Sequence, residues 1–209
     1  MKREIDFESW NRKEHFDFFS AFDEPFYGLV AQLDCSKAMQ EARMSGTSFF
    51  LYSLHKIMRA VNDTPEFRYR IEAGSVYDYE TIHVSPTIGR ADNTFAFAFL
   101  KFDPDLSRFV AINKQEMEEA QSSTGLRLNE DSERIDTIHF SSLPWIDFTG
   151  LTHARNYKTN DSIPKISVGK VHAEGEKKRM PIQINVHHGL VDGIHIANFL
   201  DRAQAYLNE

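Results

Sequence analysis

Apolar residues recur at three- and four-residue steps along Ser48–Asn62, where Phe50, Leu51, Leu54, Ile57, Met58 and Val61 share one face. The pattern predicts an amphipathic helix that Ser48 can cap. A second helix is predicted from about Gly193 to Leu207, burying Ile196, Phe199, Leu200, Ala203 and Leu207. A third runs from Pro104 to about Ser122, with proline in its first turn. Phe7–Phe22 mixes Trp10, Phe16, Phe18 and Phe19 with charges in a roughly helical rhythm. Between these lie β-branched and aromatic runs broken by turn residues, which predict strands over Pro25–Ser36, Phe67–Glu72, Ser75–Glu80, Thr81–Pro86 and Thr94–Phe102. Three more fall in DTIHFSSLPW, KISVGKVHAEG and RMPIQINVHHG. Within TFAFAFLKF, Phe95, Phe97 and Phe99 point to one face and Ala96 and Ala98 to the other. Strands and helices mix without regular alternation. The expected fold is therefore α/β (α+β), a mixed sheet with helices packed on it rather than a doubly wound parallel sheet. No linker, repeat or low-complexity tract interrupts it, so residues 1–209 read as one domain.

A chain of 209 residues can bury an adequate core without disulfides or a structural metal. Its longest purely apolar run, Phe95–Leu100, is six residues, far short of a bilayer span. The opening MKREIDFESWNRKEHF carries charge throughout and lacks the apolar stretch of a signal peptide. Cys35 is the single cysteine. We expect no membrane insertion and a reduced, cytoplasmic setting. A net charge of −7 argues against nucleic acid, since it repels a phosphate backbone, but permits a small anion on a local basic cluster. The 17 Phe residues point to a Phe-rich core or an apolar ligand cavity.

The densest chemistry is NVHHGLVDGIH, Asn185–His195, with three histidines and an aspartate within nine residues at a strand–helix junction. Asp192 can cap the last helix, yet capping leaves two adjacent histidines unexplained. A metal site from His187, His188, Asp192 and His195 is disfavoured, because neighbouring strand residues face opposite ways. A nucleophile triad lacks a serine or cysteine in a strained elbow. A general base fits best. Imidazole titrates near neutrality, and Gly189 and Gly193 permit the tight turn that would present it.

QINVHHGLVDGIHIANFL resembles the active-site stretch of the chloramphenicol acetyltransferase family, whose His-x-x-x-Asp-Gly element is shared among coenzyme A-dependent acyltransferases. WNRKEHFDFF, AVNDTPEFRYRI, FSSLPWIDF and ISVGKVHAEG resemble the same family in the same order, so the likeness covers nearly the whole chain. The resemblance implies a two-layer acyltransferase fold, acetyl-CoA as cosubstrate without a metal, and a small-molecule acceptor. It further implies a homotrimer with each site between subunits. It makes His188 the base and Ser141 the donor to the tetrahedral oxyanion. Asp192 pairs with Arg12 to support the loop, Ser167 positions a water and Lys170 lies near the coenzyme phosphate. Phe19, Phe95 and Trp145 belong to the acceptor pocket.

The chain departs from the family in that pocket. Phe19 replaces a tyrosine, Asp23 and Pro25 replace an apolar residue and a cysteine, and His153 and Arg155 stand at apolar positions. A lysine that reaches the coenzyme falls at about Ser48, so that contact is lost. These changes predict a more polar acceptor than chloramphenicol, if the side chains face inward.

Overall fold

Alternation within the central strands decides the architecture, and the computed structural model, which describes residues 1–156 and 161–209, shows how. In chain order the elements are β1 (Lys2–Glu4), α1 (Lys13–Ser20), β2 (Phe26–Asp34), α2 (Ser36–Met44), α3 (Phe49–Asn62), β3 (Tyr69–Glu72), β4 (Ser75–Tyr79), β5 (His83–Gly89) and β6 (Phe95–Phe97). There follow α4 (Leu106–Ser122), β7 (Thr137–Ser142), β8 (Lys165–Val168), β9 (His172–Glu174), β10 (Lys177–His187) and α5 (Gly193–Leu207). A seven-stranded sheet runs in the order β2-β10-β8-β7-β5-β6, with β9 added beside β10. Pairs β5/β7 and β7/β8 are parallel and the others antiparallel, so the sheet is mixed. A second, three-stranded sheet pairs β4 with β1 and β3.

One face of the main sheet is apolar. Pro86, Phe140, Ile166 and Ile184 lie in register across four strands, with Val168 opposite Ile182 in the neighbouring row. These residues join α3 and α5 in a single core where Leu54, Ile57, Ile196, Phe199 and Leu207 are buried. Phe199 stacks on Phe67 with ring centroids 4.6 Å apart. Burial of such a side chain contributes about 1.5–3 kcal/mol.

The opposite face is polar along two rows. Ser85, His139, Lys165 and Asn185 are paired in register. Next to them run Ser141, Ser167 and Gln183, with Thr87 donating to the Ser141 hydroxyl at 3.4 Å. Paired residues project to the same side of a sheet. Four adjacent strands thus present apolar groups to the helices and polar groups away from them.

Several expected boundaries shift. Pro104 stands before α4 rather than in its first turn, because the Asp105 carboxylate caps that helix by accepting from Arg108 N at 2.8 Å. The helical rhythm expected over Phe7–Phe22 yields a helix only over Lys13–Ser20. Phe7 and Trp10 lie in the preceding turn, stacked on each other at 5.7 Å. The strand from Phe67 begins at Tyr69, after a 3₁₀ turn over Pro65–Arg68. The long run from Thr94 shortens to β6 plus a lone bridge between Val84 and Leu100. Neither α2 nor β1 was expected.

Candidate active site

His187 and His188 end β10 and face different surroundings, as alternation requires. His187 is buried against the edge of Phe26, and its Nδ1 accepts from Gly189 N at 3.1 Å. Burial, followed by the charge of Arg155, pulls His187 down to about 4. The ring is therefore neutral near pH 7. A histidine held neutral in the fold binds a proton once unfolded, so its stabilising contribution is complete above 6.5 and declines as pH falls toward 4. We expect the unfolding free energy to drop across that window, and the drop to be shallower in His187→Gln. Urea unfolding at pH 7.0, 5.5 and 4.5 measures both.

His188 sits in the turn, with its imidazole between two aromatic rings. Phe19 from α1 stacks on it at 3.9 Å and 9°, and Tyr27 from β2 lies at 4.2 Å. Its Nδ1 is buried without a partner, which leaves Nε2 as the nitrogen open to a substrate. The backbone is clamped from both sides. His188 N donates to Pro25 O at 2.9 Å, and Arg12 Nη2 donates to His188 O at 3.0 Å.

Arg12 is also paired with Asp192, at 3.5 Å. Asp192 caps α5 by accepting from Gly193 N at 2.7 Å, and its own N donates to His195 Nδ1 at 2.9 Å. The Gly193 amide, aided by the Arg12 charge, holds the Asp192 carboxyl below the usual carboxylate range. Burial raises the Tyr27 phenol to about 12, with Asp192 adding to the shift. The four groups weighed and disfavoured above as metal ligands are engaged in ring stacking, turn and capping bonds. Among the described residues no three His, Cys, Asp or Glu side chains gather to hold a metal ion.

Ser141 and Ser167 are neighbours on β7 and β8, and the buried Ser167 Oγ has no partner. They are not beside His188. Ser167 pairs with Gln183 on β10, and from Gln183 to His188 the chain runs on for about 16 Å at roughly 3.3 Å per residue. One chain therefore carries a base at one place and hydroxyl donors at another.

Lys170 lines a separate cleft of about 700 Å³ with Trp145, Phe50, Met117 and the start of α3 at Ser48. Trp145 is 76% exposed and belongs to this cleft, away from Phe19. Phe95 is 44% exposed at the start of β6. Its neighbour Phe97 instead borders the space in front of Ser141. His153 and Arg155 point inward. His153 Nε2 bonds Gln183 Oε1 at 2.7 Å, and buried Arg155 pairs with Glu24 at 2.8 Å beneath the ring of Phe26. Asp23 borders a cavity of about 640 Å³ with His187 and Arg155. The Tyr27 ring, the Pro25 carbonyl's bond to His188 N and the Arg12–His188 carbonyl bond were not anticipated. The alternation of β2 carries no mark that distinguishes Tyr27 from its neighbours.

The fold and these sites define a coenzyme A acyltransferase architecture. A solved Azotobacter vinelandii dihydrolipoamide acetyltransferase shares the fold, with a TM-score of 0.68 at 15% identity, covering 91% of this chain and 84% of that one. The chain belongs to the chloramphenicol acetyltransferase family, whose model matches residues 2–204. It is 28% identical over 207 residues to the chloramphenicol acetyltransferase of Proteus mirabilis, covering 98% of this chain and 94% of that protein. A solved chloramphenicol acetyltransferase superposes with a TM-score of 0.93 at 30% identity, covering 99% of this chain and 100% of the other.

Proposed function

We propose that this protein transfers acetyl from acetyl-CoA to a hydroxyl of a small molecule, chloramphenicol or a related alcohol, by general-base attack within a ternary complex. His188 supports this most directly: its Nε2 is open while its ring and backbone are fixed by Phe19, Tyr27, Pro25 and Arg12. Nε2 takes the acceptor proton as the oxygen bonds to the thioester carbon, the C–S bond then breaks, and the proton passes to the departing thiolate. Ser141 donates to the oxyanion, and the unpartnered Ser167 hydroxyl holds a water beside it. The cleft of Lys170, Trp145 and Phe50 suits acetyl-CoA, with apolar walls for the pantetheine arm and an ammonium for phosphate.

The separation of His188 from Ser141 favours an assembly in which each site takes its base from one copy and its donors from the next, in a closed trimer. Phe18 and Phe22, exposed beside the Phe19–His188 stack, supply an apolar surface for that contact. Buried, free Cys35 accords with a cytoplasmic setting. No helix among the described residues is long and apolar enough to cross a membrane.

Release of the coenzyme A thiol on mixing protein, acetyl-CoA and chloramphenicol tests the activity. We expect acceptor-dependent release, with chloramphenicol a modest substrate because inward His153 and Arg155 present polar groups to it. A low-micromolar Michaelis constant with fast turnover would contradict the modest rate, and release from no alcohol would contradict acyl transfer.

A further inference from the structure

We propose that His139, backed by Lys165 and Asp161, recognises the acceptor and selects a neutral alcohol bearing several further hydroxyls, such as a sugar or cyclic polyol. The proposal rests on the acyl-transfer reading and narrows its substrate.

The polar face of the sheet supplies the first observation. His139 and Ser141 project from the same side of β7, about 7 Å apart at two residues' rise. That spacing suits a second hydroxyl across a ring from the one that reacts. His139 borders a cavity of about 230 Å³ with Ser141 and Phe97, and another of about 370 Å³ with Lys165 and Asp161. The imidazole is therefore shared by the reacting end and its extension.

Hydrogen bonding supplies the second. Around His139 the polar groups satisfy one another: Lys165 Nζ bonds Asp161 at 2.5 Å and Ile163 O at 3.1 Å, and His153 bonds Gln183. The His139 ring is exposed and makes no such bond among the described residues, and the buried Ser167 hydroxyl is unpartnered. The His139 ring and the Ser167 hydroxyl are thus both available to bond a ligand. Desolvation by the groups crowded around it, then the Lys165 charge, lowers the basicity of His139, with Asp161 opposing. A neutral imidazole offers one donor and one acceptor, the complement of an alcohol.

Charge sets the class. The larger cavity is lined by Lys165 and Arg134 and by Asp161 and Glu133, two cations against two carboxylates, so its walls hold no surplus charge to attract an ion. Phe97 adds an apolar wall against which the C–H face of a ring can lie.

Thiol release with acetyl-CoA, measured for wild type, His139→Leu and His139→Gln, tests this. The acceptors are methyl glucopyranoside, methyl galactopyranoside and myo-inositol, set against benzyl alcohol and cyclohexanol. We expect at least one polyol to exceed both monohydric alcohols in kcat/KM by about tenfold in the wild type. His139→Leu should lose about tenfold on that polyol and stay within about twofold on benzyl alcohol, while His139→Gln retains much of the preference. Equal losses on both classes, or a wild type that prefers the monohydric alcohols, overturn the inference while leaving acyl transfer standing. If His139→Leu does not fold, the wild-type preference and the glutamine variant decide. No release with any of these alcohols or chloramphenicol overturns acyl transfer itself, and the inference with it.

Discussion

His188→Ala is expected to lower turnover by a factor of about 10²–10⁴ or more, while folding and coenzyme A binding persist. The neighbouring histidines of the same turn cannot replace the lost nitrogen. His187 is buried, neutral and bonded to Gly189, and His195 is bonded to the Asp192 amide. The substitution leaves the structural contacts of the turn intact, because Pro25 and Arg12 hold the backbone of residue 188 rather than its ring. The ring does contribute its stacking on Phe19 and Tyr27, about 0.5–1.5 kcal/mol for such a pair. A modest fall in melting temperature should therefore accompany the kinetic loss. Steady-state thiol release and calorimetric titration with coenzyme A separate the two effects. Activity comparable to wild type would remove His188 from the mechanism.

Asp192→Asn isolates the charge, because asparagine is as good a helix cap as aspartate. A fully buried pair stripped of one member typically costs 3–5 kcal/mol, but Asp192 does not qualify. Its side chain is 42% exposed against 11% for Arg12, and the closest approach is 3.5 Å. We therefore expect a stability loss of about 1 kcal/mol. The effect on rate should be larger. Arg12 bonds the His188 carbonyl, and once released from Asp192 it no longer fixes the position of the base. Displacement of a catalytic group by about 1 Å can cost roughly 10²-fold. The carboxyl is held below its ordinary range in the fold, so this contribution is present above about pH 4 and fades as the pH falls below it. Asp192→Ala should cost about 1 kcal/mol more through the lost cap. A variant that keeps full activity would mean that Arg12 alone orders the turn.

Elements with strong periodicity were legible in the sequence. Helix α5 spans Gly193–Leu207 as expected, since its apolar residues mark one face without interruption. Helix α2 was missed because its buried positions are only Ala38 and Ala42 in an otherwise polar stretch, which leaves no apolar stripe to see. Within the site, Asp192 was readable as a cap from its place before α5, and strand alternation separated His187 from His188. Arg12, Ser141 and Ser167 carry no such mark and came through the family resemblance. The orientations of His153 and Arg155 were unreadable because the loop that carries them has no repeat to say which side faces in. The structure turns both inward by pairing them with Gln183 and Glu24. His139 was hidden for a different reason. Only the parallel pairing of β7 with β8 sets it beside Lys165, and register between distant strands is not written in either one.

The central claim is acyl transfer at a site built from two copies of the chain, and mixed assemblies test it most directly. His188→Ala and Ser141→Ala, each purified inactive, are to be unfolded together in equal amounts and refolded, then assayed for acceptor-dependent thiol release. If each site takes its base from one chain and its donor from the next, random mixing around a closed trimer restores about a quarter of the sites. Recovery of about a quarter of wild-type activity is the predicted result. Mixtures no more active than the separate variants, at full refolding yield, would contradict the shared site.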